Sequence, residues 1–305
     1  MARRVAIITD DPGWHGRQLR QAFAARGCDG QYVSLQNCYF DLAHARHGVV
    51  IPGFKHSLPD AVFVRGVPGG TLEQVILRLD ILHALREIGV PVYNDARAIE
   101  RSVDKAMTSF LLKRAGIPTP ATWVCESASQ ARAVLLRENA AGRELVLKPL
   151  FGSQGLGLRR LKTGLDFPDF AEYSGAAYLQ SFIDCGEGQW HDFRVLVVGG
   201  AACASMLRRG TSWINNVAQG AKCEKAQPDE TLLKLAQDAV RAVGMDYAGV
   251  DVMRDPRDGK LYVIEVNGIP AWRGLQGVCR DNLAQYLVDD LLARKLPQTT
   301  MEMVC

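Results

Sequence analysis

The chain has 305 residues, 48% hydrophobic and 23% charged, with a formal net charge of +3; that suffices for a sizeable core or two to three compact lobes, and the composition is that of a water-soluble globular protein. So slight a charge gives no push toward nucleic acid or an anionic membrane surface, and no apolar run approaches membrane-spanning length. The eight cysteines, Cys28, Cys38, Cys125, Cys185, Cys203, Cys223, Cys279 and Cys305, form no CxxC pair and no zinc-spaced Cys/His cluster, which points to a reduced, cytoplasmic protein with free thiols.

MARRVAIITDD opens with a short apolar run that reads as a strand at 5–10 rather than a signal peptide. A helix follows at 14–26 with a glycine stop, then QYVSL as a strand, AVFVRG (61–66) as another, and TLEQVILRLDILHALREIG (71–89) as a long amphipathic helix. VPVYND (90–95) adds a short strand. Strands alternating with helices imply parallel pairing, so 1–98 reads as a small α/β lobe. A helix at about 102–115 starts with Ser102 as its N-cap and stops at Gly116 and Pro118. TWVCES, a helix at 127–140 and LVLKP complete a central lobe, 99–176. AYLQSFI (177–183), DFRVLVVGG (192–200) and AACASMLRR (201–209) read as strands, followed by helices at about 229–243 and 281–294, in a third lobe, 177–305. The class is α/β, built of α+β lobes.

Two segments carry chemistry. In AGVDVMRDPRDGKLYVIEVNGIP (248–270), Asp258-Gly259 is a hairpin signal between two apolar runs. Glu265 and Asn267, two apart on a strand, share a face, and the turn sets Asp251 opposite Glu265. A carboxylate among valines needs a partner, and Mg2+ suits three hard oxygens; a half-exposed hairpin with a polar face accounts for them equally well. LVLKPLFGSQGLGL (145–158) is a strand ending at Lys148, then a loop in which Gly152, Gly155 and Gly157 permit backbone geometries closed to other residues. Its amides can cradle phosphate oxygens beside Lys148. It is neither a Walker A loop nor a GxGxxG fingerprint.

The order DK, LVLKPLFGSQGLG, YLQSFI, DFR, AGVDV, VIEVN resembles the ATP-grasp superfamily, most of all its RimK-like amino-acid ligases, which include α-L-glutamate ligases. The resemblance covers roughly 95–292. It implies a nucleotide held between the central and C-terminal lobes, behind an N-terminal α/β lobe. It implies that Lys105 and Lys148 reach the phosphates and that Gly152, Ser153, Gln154, Gly155 and Gly157 form a flap over them. Gln180, Ser181, Phe182 and Ile183 match the hinge that reads adenine through its backbone. Asp192 matches a ribose-side residue, Arg194 and Arg208 match basic positions near the transferred phosphate, and Asn216 matches an asparagine of the family. Asp251, Glu265 and Asn267 match the Mg2+ ligands, with two ions bridged by Glu265 and Mn2+ as a substitute. The chain departs from the family at Ser181, where many relatives carry Glu, and at Ile214 and Gln219, where the family carries Arg. Trp272 and Arg273 follow the metal strand, Trp272 to stack on a flat ring and Arg273 to pair with a substrate carboxylate; an ordinary surface loop explains them as well.

The implied activity is ATP-dependent, ADP-forming ligation of a carboxylate to an amine through an acyl phosphate. The amine is expected to be that of glutamate, added to a small one-carbon carrier cofactor of pterin or furan type, to a peptide or to a carrier protein. The alternatives are a glutathione-synthetase-like or dipeptide ligase and, in another class, a non-catalytic nucleotide-binding sensor or scaffold. No nucleic-acid or membrane partner is expected, and self-association as a homo-oligomer is.

Overall fold

The computed structural model describes residues 2–54, 57–152, 154–186 and 188–296; Ser153 and Cys305 lie outside them. The first lobe contains β1 (Arg4–Ile8), α1 (Gly13–Ala24), β2 (Asp29–Val33), a hairpin of β3 (Tyr39–Phe40) and β4 (Val49–Val50), β5 (Ala61–Val64), α2 (Leu72–Glu87) and β6 (Val92–Tyr93). Its main sheet has the order β2-β1-β5-β6, and every pairing is parallel, as alternating strands and helices require. Thr71 and Gln74 close a capping box at the start of α2. The helix is less amphipathic than its sequence suggests: it buries Ile81, Leu82 and Leu85 but leaves Leu72, Ile76 and Leu77 exposed.

The single helix expected at 102–115 is two. α3 (Ala96–Val103) ends where α4 (Lys105–Arg114) begins. Asp104, not Ser102, caps α4, accepting the amides of Ala106 and Met107 at 2.8 and 3.1 Å. Ser102 is inside α3, its hydroxyl donating to Ile99 O. A carboxylate cap complements the helix N-terminus better than a hydroxyl, and it fixes Lys105 as the first helical residue.

The second sheet joins β7 (Thr122–Cys125), β8 (Leu145–Lys148), β9 (Arg159–Leu161) and β10 (Ala177–Ser181) in the order β7-β10-β8-β9, backed by α5 (Ala128–Ala140). The third has β11 (His191–Val198), β12 (Ala201–Arg209), β13 (Lys222–Lys225), β14 (Tyr247–Arg254) and β15 (Leu261–Asn267), in the order β13-β12-β11-β14-β15, all antiparallel. α6 (Glu230–Val243) covers one face, where Val195, Val197, Val250, Val252 and Val263 are buried. The last described elements are α7 (Arg273–Gln276) and α8 (Leu283–Lys295).

The first and third sheets are bound together. α8 packs with α1, and one core cluster runs from Val5, Phe23 and Phe63 to Leu196, Met206, Tyr247 and Leu287. Asn94, fully buried just after β6, donates to the carbonyls of Tyr247 (2.8 Å) and Gly268 (2.7 Å) and accepts the amides of Asp246 (2.7 Å) and Tyr247 (3.0 Å). The second sheet faces the other face of the third across a cleft.

Candidate active site

One face of the third sheet carries a ladder of directly opposed charges. Arg208 pairs in register with Asp192, Arg194 with Asp251, and Asp251 with Glu265. Arg208 donates to both Asp192 oxygens, at 2.7 and 2.6 Å, and its Nη2 also reaches Asp251 Oδ2 at 2.9 Å. Arg194 forks onto Asp251 through Nε and Nη2. Burial alone would raise the Asp251 carboxyl, but the two arginines outweigh it and hold the group below the ordinary carboxylate range. Asp192 lines the cleft, and each of its oxygens accepts one N–H of Arg208, so it also orients an arginine of the cleft.

A bulge sets up the metal set. Asp251 opposes Glu265, but Val252 opposes Val263, so Ile264 is the extra residue on β15. Val263 stays in the core at 0% exposure while Glu265 and Asn267 turn together toward the cleft. Among the described residues Glu265 makes no hydrogen bond or ion pair; the charges facing it are Lys105 and Lys148. The Asn267 amide donates to Gly249 O at 3.4 Å, which directs its Oδ1 elsewhere. Three of the four lone-pair sites of Asp251 are taken by arginine N–H groups, leaving one. Hard oxygens in this arrangement fit Mg2+. Among the described residues no three His, Cys, Asp or Glu side chains form a group that could hold a metal ion by themselves, so the set depends on the Asn267 carbonyl.

Across the cleft, β8 delivers Lys148, which donates to Gln180 Oε1 at 2.7 Å; Gln180 is held in turn by Thr122 and Tyr178. Burial is the main cause that pulls Lys148 down, to about 8; Lys105 adds to it, and Glu265 and Asp251 oppose it. Burial likewise lowers Lys105. Lys105 donates to Gly152 O at 2.7 Å, so it anchors the base of the flap. Gly155 and Gly157 have φ of +73° and +71°, the left-handed region that favours glycine. A Cβ at Gly155 would sit 2.7 Å from Ile214, and one at Gly157 2.8 Å from Pro149. Gly152 needs no such freedom; its contribution is the carbonyl. Gln154 lines the cleft, and its carbonyl accepts Gln219 Nε2 at 3.3 Å. Ile214 and Gln219, the two departures from family arginines, are thus what the flap rests on, with Asn216 lining the cleft beside them.

The hinge is more committed than the resemblance implies. Ser181 N donates to Ala121 O and Phe182 N to Glu144 O, at 2.8 and 2.9 Å, so neither amide is left for a purine. The Ile183 amide has no partner among the described residues. Phe182 belongs to a small apolar cluster with Val146 and Trp190, against which Trp213 packs edge-on at 5.8 Å. Val146, Leu158, Trp213, Met253 and Ile264 line the cleft and were not singled out in the sequence. Met253 and Val146 could have been, each lying two residues from a site residue on its own strand. Ile264 enters through the bulge, and Trp213 lies in an irregular segment without a period.

Trp272 corrects an expectation. It is 1% exposed, packed in T-shaped contact with Trp14 and His15 in the core joining the first and third sheets, so it cannot stack on a substrate ring. Arg273 is exposed, and neither residue lines the cleft.

A flap and Lys148 on one sheet, with Lys105 at the head of α4, facing hard oxygens on another sheet, make a two-lobed nucleotide-dependent ligase. The chain belongs to the RimK family of ATP-grasp ligases: residues 3–99 match the RimK pre-ATP-grasp domain and 102–291 the RimK-like ATP-grasp domain. It is similar to the tetrahydromethanopterin:alpha-L-glutamate ligase of Methanococcus maripaludis, 32% identical over 297 residues, covering 95% of this chain and 98% of the relative. It is also similar to the alpha-aminoadipate–LysW ligase LysX of Saccharolobus solfataricus, 28% identical over 214 residues, covering 67% and 75%. In fold it resembles the ATP-grasp ligase PsnB complexed with a phosphomimetic variant of its minimal precursor, Mg and ADP, with a TM-score of 0.74 at 20% identity over 96% of this chain and 99% of the other. It resembles as well a RimK domain ATP-grasp protein from Sphaerobacter thermophilus, TM-score 0.69 at 24% identity over 94% and 98%. The chain is an ATP-dependent carbon–nitrogen ligase. Among the described residues no helix is long and apolar enough to cross a membrane.

Proposed function

We propose that this ligase adds L-glutamate to a carboxylate of a small one-carbon carrier cofactor, of pterin type. The glutamate reading is supported by relatives named as alpha-L-glutamate ligases, three of them acting on tetrahydromethanopterin at 32–35% identity. The ligase chemistry rests on one observation above others: Glu265, free of any ion pair among the described residues, stands before Lys105 and Lys148 under a glycine flap. A sensor or scaffold would have no need of that arrangement.

A carboxylate is a poor electrophile and is activated by taking the γ-phosphoryl of ATP, with ADP leaving; the amine then displaces phosphate to give the amide. Lys148 and Lys105 place positive charge where the phosphates lie, and the Ile183 amide is free to donate to the adenine. Arg194 and Arg208, held by Asp251 and Asp192, line the cleft and add positive charge to it. The flap excludes water from the acyl phosphate. Asp251, Glu265 and Asn267 would hold Mg2+, as two ions, or Mn2+ in its stead, and a bound ion would supply neutralisation of phosphate charge. We place the enzyme in the cytoplasm, on its free thiols.

The test is isotopic. Oxygen-18 in the acceptor carboxylate should appear in the released phosphate, because that oxygen attacks the γ-phosphorus. Unlabelled phosphate, or AMP and pyrophosphate as products, would sink the acyl-phosphate route.

A further inference from the structure

The cleft accounts for a nucleotide and for the carboxylate that meets its γ-phosphate. A ligase has a third substrate to hold. In the first sheet β1 leads to β2 on one side, while β5 pairs on the other, so the chain reverses between β1 and β5. Ligands of open parallel sheets bind outside the carboxyl ends of the strands at such a reversal. Here those ends lead into Thr9–Gly13 and Arg65, and the segment leaving β15 at Asn267 arrives at the same place with Trp272 and Arg273.

Two groups gathered there, Arg65 and Trp272, have donors that lack acceptors, and the Asp11 carboxylate stands close by at the start of α1. Arg65 has a buried Nε without a hydrogen-bond partner, and it makes no ion pair among the described residues. The Asp11 carboxylate acts on it from beyond ion-pair range. Its guanidinium carbon lies 5.3 Å from the centre of the Trp272 ring. The Trp272 indole N–H, in a side chain 1% exposed, has no partner either. His15 Nε2 accepts the backbone amides of Trp272 and Arg273, at 3.1 and 3.2 Å, so the neutral ring carries its proton on Nδ1. Burial first, then the charges of Arg65 and Arg273, hold that histidine down to about 4. α1 begins at this point with no side-chain cap and no acidic residue in its first turn, adding the positive end of a helix. Buried donors in folded proteins are nearly always satisfied by protein or water, and a largely buried cation that is not ion-paired is costly. An anion at this corner would accept from both donors and offset the Arg65 charge.

We propose that Arg65, Trp272 and His15, with Arg273 at the rim, form a subsite for a carboxylate, and that it receives a non-reacting carboxylate of the amino-acid substrate. The inference rests on the ligase reading and gives its amine donor a place. The carboxylate bound here is a spectator, because none of these residues lines the cleft that holds Lys148 and Glu265. Two arginines without an ion-paired acid among the described residues match an amino dicarboxylate better than a neutral amino acid.

The experiment titrates L-glutamate into the full-length protein by calorimetry, with MgADP present, and compares wild type with Arg65→Met and Arg273→Gln. Arg65→Met should weaken L-glutamate binding by about tenfold or more, the scale of a charge-assisted hydrogen-bonded pair. Its melting temperature should be unchanged or higher, since an uncompensated buried charge is gone, and its thermal response to MgATP should persist. Arg273→Gln should weaken binding less. The proposal is overturned if wild type fails to bind L-glutamate, or if Arg65→Met binds it as wild type does. It is also overturned if Arg65→Met melts lower and loses its MgATP response, which is the mark of a structural arginine. A raised KM for the acceptor with glutamate unaffected would overturn the assignment to the amino acid. Should wild type show no MgATP response, the ligase reading fails separately, and the glutamate titration still decides the subsite.

Discussion

Glu265 owes its position to one extra residue. Strict alternation along Val263, Glu265 and Asn267 would put all three on one face, yet the Ile264 bulge leaves Val263 in the core and turns the two oxygen donors to the cleft. Because Glu265 has no partner among the described residues, Glu265→Gln should leave stability within about 0.5 kcal/mol of wild type. Turnover should fall by about a hundredfold or more, the scale of losing a metal-facing charge in phosphoryl transfer. Steady-state rates beside a thermal melt test both halves, and near-normal turnover would remove Glu265 from the metal set. Lys148 gives a pH prediction. With its value lowered to about 8, it is charged in the free enzyme below that pH and loses its charge as pH rises through it. MgATP affinity should therefore decline above about pH 8, and KM for ATP against pH would show it. For stability the sign is opposite: the unfolded chain holds this proton up to the ordinary lysine value, so the group's contribution to stability rises with pH between about 8 and that value. An ATP affinity flat across this range would exclude Lys148 from phosphate binding.

Among the elements, those with a strong period were legible. Alternating strands and helices predicted a parallel first sheet, and the Asp258-Gly259 turn predicted a hairpin with Asp251 opposite Glu265; both are observed. What the sequence hid was set by tertiary contact. β3, β4 and β9 are too short to carry a period, and β13 exists because β12 offers it an edge. The break between α3 and α4 depends on Asp104 bending the chain, where the apolar pattern runs through. Trp272 looked like a loop residue because its burial comes from α1, more than 250 positions away in the chain. The flap was legible as glycines, but not which of them needs to be glycine. Gly155→Ala tests that. Its φ of +73° and the Ile214 methyl at 2.7 Å from a new Cβ both resist the change, at a cost of about 1–2 kcal/mol for the left-handed backbone alone. KM for ATP should rise several-fold, and the melting temperature should fall by a few degrees, the scale of a loss of about 1–2 kcal/mol. Gly152→Ala, at a position without positive φ, should be the milder change, and equal effects at the two positions would refute this account of the flap.

At the scale of the molecule, the nucleotide cleft and the joint between the first and third sheets are separate devices, and they predict separate behaviour. MgATP would bridge the second and third sheets, so it should raise the melting temperature, by an amount equivalent to about 2.7 kcal/mol when the ligand stands a hundredfold above its dissociation constant. No shift at saturating MgATP would count against the cleft as a nucleotide site. The joint depends on Asn94, which no period or motif announced. Its amide saturates four backbone groups of the third sheet and the segment after it, and around it Phe63, Tyr93 and Tyr247 stack at 5.1–5.5 Å. Asn94→Leu keeps the volume and strands those four groups in a site closed to water. Each buried polar group left without a partner costs about 1–3 kcal/mol, so even partial relaxation leaves a loss of several kcal/mol. The core cluster shared by α1, α8 and the strands beneath them makes the two sheets unfold together in wild type, as one calorimetric transition. In Asn94→Leu the transition should fall markedly, and the first lobe should loosen ahead of the rest, seen as earlier hydrogen exchange at β1 and β5 than at β11 and β14. The MgATP-induced shift should survive, because Asn94 does not line the cleft. A variant as stable as wild type would mean that the aromatic stack and the α1–α8 contact hold the joint without Asn94, and a lost nucleotide response would mean that the joint and the cleft are one device.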